Sequence, residues 1–168
     1  MSIHSVEKLQ QVDPLRREQR ESVTTRTQLE QGGLLGMVHQ LEQKLASAAP
    51  GRERDWTHEV LFDLRRLRDS FREHVESAGR EDGLFAELAH AVPNLLSRME
   101  RLQQRQEGLL HQLNSLISQI DNHRKVDVPD FSDIRRRTAA AIDEFRMIQA
   151  LENDLLFECF GTDLGVGD

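Results

Sequence analysis

The chain has 168 residues, a formal net charge of −7, 30% charged and 38% hydrophobic residues, and 5% aromatics with no Tyr. That length suits one domain around a single core, and the scarcity of aromatics favours helices over sheets. The acidic balance argues against a nucleic-acid binder, the single Cys159 excludes an internal disulfide or a Cys-based zinc cluster, and no run reaches the roughly 18 apolar residues of a membrane span.

Residues 1–27 are polar and mixed in charge, with Arg16, Arg17 and Arg20 set against Glu18 and Glu21, and they read as a mobile or loosely helical arm. Beyond it, Leu34, Val38, Leu41 and Leu45 recur at spacings that share one side of a helix, which Pro50 and Gly51 end. A second stripe runs through Trp56, Val60, Leu64, Leu67, Phe71, His74 and Ala78 before Gly79. His74 therefore points where a core residue would.

Gly83 opens a short apolar segment with Leu84, Phe85 and Leu88, and Pro93 suits the first turn of a third long helix. That helix carries Leu95, Met99, Leu102, Gln106, Leu109, Leu113, Leu116 and Ile120. A loop over Asp121 to Asp130 is expected before the fourth stripe of Ile134, Thr138, Ala141, Phe145, Ile148, Glu152 and Leu155. Residues 161–168 are an acidic, glycine-rich tail. Four amphipathic helices over 28–160 predict an all-α, up-down-up-down four-helix bundle.

Three polar side chains thus stand at inward positions on different helices: His74, Gln106 and Glu152. A buried carboxylate needs a cationic partner, a metal or a wet helix end, and His74 would serve as partner to Glu152 without metal. Gln106 reads as a buried amide that fixes helix register. His39, His58, His90, His111 and His123 fall off the stripes and are expected to be solvated, as is the run Arg135, Arg136 and Arg137. Cys159, with no base placed beside it, reads as inert packing. Leu61, Leu96 and Leu110 are left over as exposed apolar residues able to support a dimer.

Phe71, Arg72, Glu73 and His74, followed by Gly83, Leu84, Phe85 and Pro93, then Leu102 to Leu110 and Leu151 to Leu156, resemble the hemerythrin-like (HHE cation-binding) family over Leu34 to Asp168. The resemblance implies a four-helix bundle holding two irons through a His-x-x-x-Glu element on each of helices two and four and single histidines on helices one and three. In this chain His74 and Glu152 match that pattern and are the candidate metal residues, as vestiges. The other slots fall on Ala78, on Gln106 beside Arg105, on Ile148 and on Val38, with His39 next to it.

A methyl group offers no lone pair, so that set does not hold an iron pair. The expectation is a non-enzymatic, hemerythrin-like protein of a bacterial-type cytoplasm that has lost its di-iron site and acts in binding or scaffolding. No cofactor is expected, and the partner is an unidentified protein or a second copy, with no nucleic acid and no membrane. One alternative is a residual mononuclear metal-binding or metal- or oxygen-sensing protein using iron or another divalent metal. A dimeric helical interaction module is the second alternative.

Overall fold

A computed structural model describes residues 14–47, 50–126 and 130–161 of the chain. Helix α1 spans Pro14–Ala46 and buries Val23, Thr27, Gln31, Leu34, Val38 and Leu41 along one side. Residues 14–27, expected within a mobile or loosely helical arm, are regular helix here and run unbroken into the rest of α1. The inward stripe continues through Thr27 and Gln31, so the apolar signal fades well before the helix does. Residues 1–13 of the expected arm lie outside the described residues, as do 162–168 of the expected tail.

The chain turns at Gly51, whose φ of 77° is the left-handed conformation that glycine adopts without a steric penalty. Helix α2, Glu53–Ala78, then starts with Trp56 against the end of α1. The Trp56 indole Nε1–H donates to the Lys44 carbonyl at 2.9 Å, satisfying one of the oxygens a helix C-terminus leaves unpaired. Arg135 stacks over the same indole at 5.1 Å and donates to the Ser47 carbonyl, and Phe131 meets it edge to face at 5.5 Å. One side chain thereby fastens three helix ends together.

Every member of the expected second stripe is buried, and so is Leu61, which the sequence left exposed. Leu61 follows Val60 and so adds to a wide inward face, whereas the next residue, Phe62, faces solvent. After α2 the chain doubles back so tightly that a Cβ on Gly83 would lie 2.4 Å from the Ser77 carbonyl oxygen and 2.6 Å from that of Ala78. Helix α3, Leu84–Ala91, follows at once. Pro93 then forces its predecessor Val92 into extended backbone (φ −143°, ψ 91°), and a single 3₁₀ turn over Pro93–Leu95 leads into α4, Leu96–Val126.

The eight expected core positions from Leu95 to Ile120 are all buried. Helix α4 persists past Asp121, where a loop was expected, and Arg65 on α2 donates to Asp121 at 2.6 Å. Helix α5, Phe131–Leu156, is capped by Asp130, whose carboxylate accepts from the backbone of Ser132 and Asp133. A wider π-type turn over Phe157–Gly161 closes the described chain and buries Cys159.

Every regular element among the described residues is a helix, and none is a strand. Helix α1 packs on α2, α2 on α4, α4 on α5 and α5 on α1. Lys44 pairs with Asp63 while Glu30 reaches Ser77, so α1 and α2 run in opposite directions. Arg65 with Asp121 and Arg68 with Asn114 set α2 and α4 antiparallel, and Arg105 with Glu144, with Arg98 reaching Glu158 in the turn after α5, sets α4 and α5 antiparallel. Among the described residues no helix is long and apolar enough to cross a membrane.

Candidate functional site

His74 lies one turn after Phe71 on the buried side of α2 and is 3% exposed. Helical spacing alone brings it there, with its ring at 30° to that of Phe71 and centroids 6.4 Å apart. Phe145 of α5 closes the far side of Phe71 edge to face at 5.9 Å. The imidazole is thus held in an apolar wall and exposes only its two nitrogens to polar groups.

Each nitrogen meets a carboxylate. Nε2 lies 2.9 Å from Oε1 and 3.0 Å from Oε2 of Glu152 on α5, itself only 2% exposed. Nδ1 lies 2.8 Å from Oε2 of Glu30 on α1, and the Ser77 hydroxyl donates to the other Glu30 oxygen at 3.0 Å. Both bonds are made together when the ring donates from each nitrogen, which is the imidazolium form. Burial is the strongest single influence on His74 and favours the neutral ring, but the bonds and charges of Glu152 and then Glu30 together outweigh it. The His74 pKa is therefore raised above 6.5.

The arrangement links α1, α2 and α5 through one cation between two anions. Glu30 is the solvent-facing end, with its side chain 30% exposed, and Glu152 the buried one. Of the three residues singled out from sequence, the structure brings His74 and Glu152 together. Gln106 is buried without trace of exposure, yet neither its Nε2 nor its Oε1 has a hydrogen-bond partner. Glu30 and Ser77 went unrecognised. Glu30 stands beside the buried row of Thr27, Gln31 and Leu34 and not in it, so the spacing alone gave no signal for it.

The donor set does not fit two irons. Val38, Ile148 and Ala78 are buried hydrocarbon at slots where the resemblance implies ligands. His39 stands on the exposed flank of α1 within 3.1 Å of the Gln43 amide. Both ring nitrogens of His74 are already taken up by carboxylates. Among the described residues no group of three or more His, Cys, Asp or Glu side chains is disposed to hold a metal ion.

The remaining candidates are placed as their spacing predicts. His58, His90, His111 and His123 are exposed. Arg135 is the exception in its run, since it is spent on Trp56 and Ser47, whereas Arg136 and Arg137 pair with Asp133 at the surface. Burial, followed by the neighbouring Glu158, pushes the Cys159 thiol up from its ordinary value, away from the thiolate a nucleophile requires. A surface pocket lined by Lys44, His58, Glu59, Leu61, Phe62 and Arg65 is cationic by count, but Asp63 and Asp121 already pair with Lys44 and Arg65.

Compared with family models, curated proteins and solved structures, the chain matches none.

Proposed function

We propose that this chain is a hemerythrin-like four-helix bundle, α1, α2, α4 and α5 in up-down-up-down order, that has lost its di-iron centre and serves as a non-enzymatic binding or scaffolding protein of the cytoplasm. The cyclic packing of four antiparallel long helices, with α3 as an excursion between the second and third, supports the architecture. The observation that carries the functional half is His74 itself. Both of its nitrogens are committed to carboxylates, and the clasp so formed closes a part of the core where a metal would need free lone pairs.

Binding is favoured over catalysis because the buried polar groups neutralise one another instead of converging on a space where a substrate atom would sit. Outside the core, Leu29 (72% exposed), Phe62 (59%) and Leu96 are large apolar side chains left in solvent, the kind of residue through which a protein partner or a second copy is gripped. Leu96 was expected among these; Leu61 is buried, Leu110 half-buried, and Phe62 takes their place.

The test is metal analysis of protein purified without chelator. Iron, manganese and zinc well below one equivalent, with no absorption from an oxo-bridged iron pair, is the expected result. One equivalent of any of them bound at His74 and Glu152 would overturn the reading in favour of a mononuclear metal protein.

A further inference from the structure

Between Ser22 and Ala46 helix α1 carries four charged residues, Arg26, Glu30, Glu42 and Lys44, and each is spent within the chain. The Arg26 guanidinium donates to the Asp82 carbonyl at 3.0 Å, Glu30 meets His74 and Ser77, Glu42 pairs with Arg146 at 2.6 Å and Lys44 with Asp63 at 2.9 Å. All four thus stand on the flanks of α1 that face the rest of the molecule. The outer face they leave holds no exposed Asp, Glu, Lys or Arg along about 37 Å of helix. In a chain with 30% charged residues that is a large neutral surface.

The face is also partly apolar. Leu29 is 72% and Leu35 44% exposed, and beside them Gly32, Gly33 and Gly36 have nothing within 4 Å of where a Cβ would stand. Glycines weaken a helix, and these make no side-chain contact in return. Against a second helix they let two backbones approach closely. The second half of α4 has a similar run without exposed charge from Gly108 to His123, but no large apolar side chain is exposed there.

We infer that this face of α1 binds the same face of a second copy of the chain, with the two helices antiparallel about a two-fold axis. The charge distribution selects the occupant. A chain of net charge −7 repels its own copies, and two of them meet at lowest cost through a face that buries no unpaired ion. A strongly acidic or basic partner finds no counter-charge there to select it. Glu18 and Glu21 lie exposed just before Ser22, so a parallel pair would crowd these carboxylates together whereas an antiparallel pair keeps them at opposite ends. A two-fold contact uses one patch twice, setting the turn from Gly32 to Gly36 against itself. The inference rests on the binding half of the proposed function and names its partner.

A strip of that length and about 10 Å wide is at the small end of specific interfaces, so the dimer is expected to be reversible at micromolar concentrations. The experiment is sedimentation velocity on the full chain across that range. The expected result is a monomer–dimer equilibrium whose dissociation constant rises about tenfold or more in Leu29→Glu and in Gly36→Leu, with native helix content by circular dichroism in both. Ser115→Glu, which adds the same charge to the exposed face of α4, leaves the constant unchanged. A strict monomer throughout, or a dimer that Leu29→Glu and Gly36→Leu leave intact, would overturn the α1 contact. Neither result touches the metal-free reading, which the metal content of the protein decides separately.

Discussion

His74 is a charge held inside the protein by two others, and its energetics follow from their unequal burial. Removing the partner of a buried charge costs about 3–5 kcal/mol, because the remaining ion is left without compensation. Glu152→Ala is therefore expected to lower unfolding stability by about that amount, read from denaturant midpoints. Glu30 is partly in water, where solvent screens the pair, so Glu30→Ala should cost only about 1 kcal/mol. The pH dependence has a definite sign. A histidine whose folded pKa lies above its unfolded value of 6.5 contributes stability that is fully present below 6.5 and disappears as pH rises through the folded pKa. The stability gap between the native chain and His74→Gln is thus expected to narrow as pH is raised above 6.5. A gap that widens over that range would contradict the imidazolium.

The helices obey local rules that single substitutions can check. Gly32, Gly33 and Gly36 lie within α1 with open space where a Cβ would stand, so each Gly→Ala exchange should raise stability by about 0.8–1 kcal/mol through helix propensity. Gly83→Ala should act in the opposite direction, by about 1–3 kcal/mol, because the added carbon meets the backbone oxygens that end α2. Thermal or denaturant unfolding of these variants side by side measures both. Asp130→Ala should cost about 1 kcal/mol through loss of the α5 cap. The long stripes of α2, α4 and α5 were legible because leucine and phenylalanine mark most inward positions. The first half of α1 was not, since Thr27 and Gln31 face inward there and a buried polar residue looks the same in sequence as a solvated one. The last turn of α4 was likewise masked by Asp121, Asn122 and His123, which sit at the surface of an unbroken helix.

At the scale of the whole molecule, the stripes predicted four long helices, and among the described residues α1, α2, α4 and α5 are packed each on the next with their directions alternating. The pairing of His74 with Glu152 was foreseeable because both interrupt apolar rows, and an inward cation and an inward anion neutralise each other most simply by meeting. Glu30 was harder to read, since it sits beside the stripe and not in it, and only the packing of α1 on α2 reveals that it completes the link. The result is a structure whose α1, α2 and α5 are tied by hydrogen bonds from one buried histidine to two carboxylates, which the proposed function sets in the place of a metal. That proposal is tested most directly by ¹H–¹⁵N NMR of the His74 ring in the full chain, purified without chelator and held below pH 6.5, where a raised pKa leaves the ring protonated. The account predicts that both ring nitrogens carry protons. A ring protonated at one nitrogen only, or one whose nitrogen is bound to a metal, would contradict it.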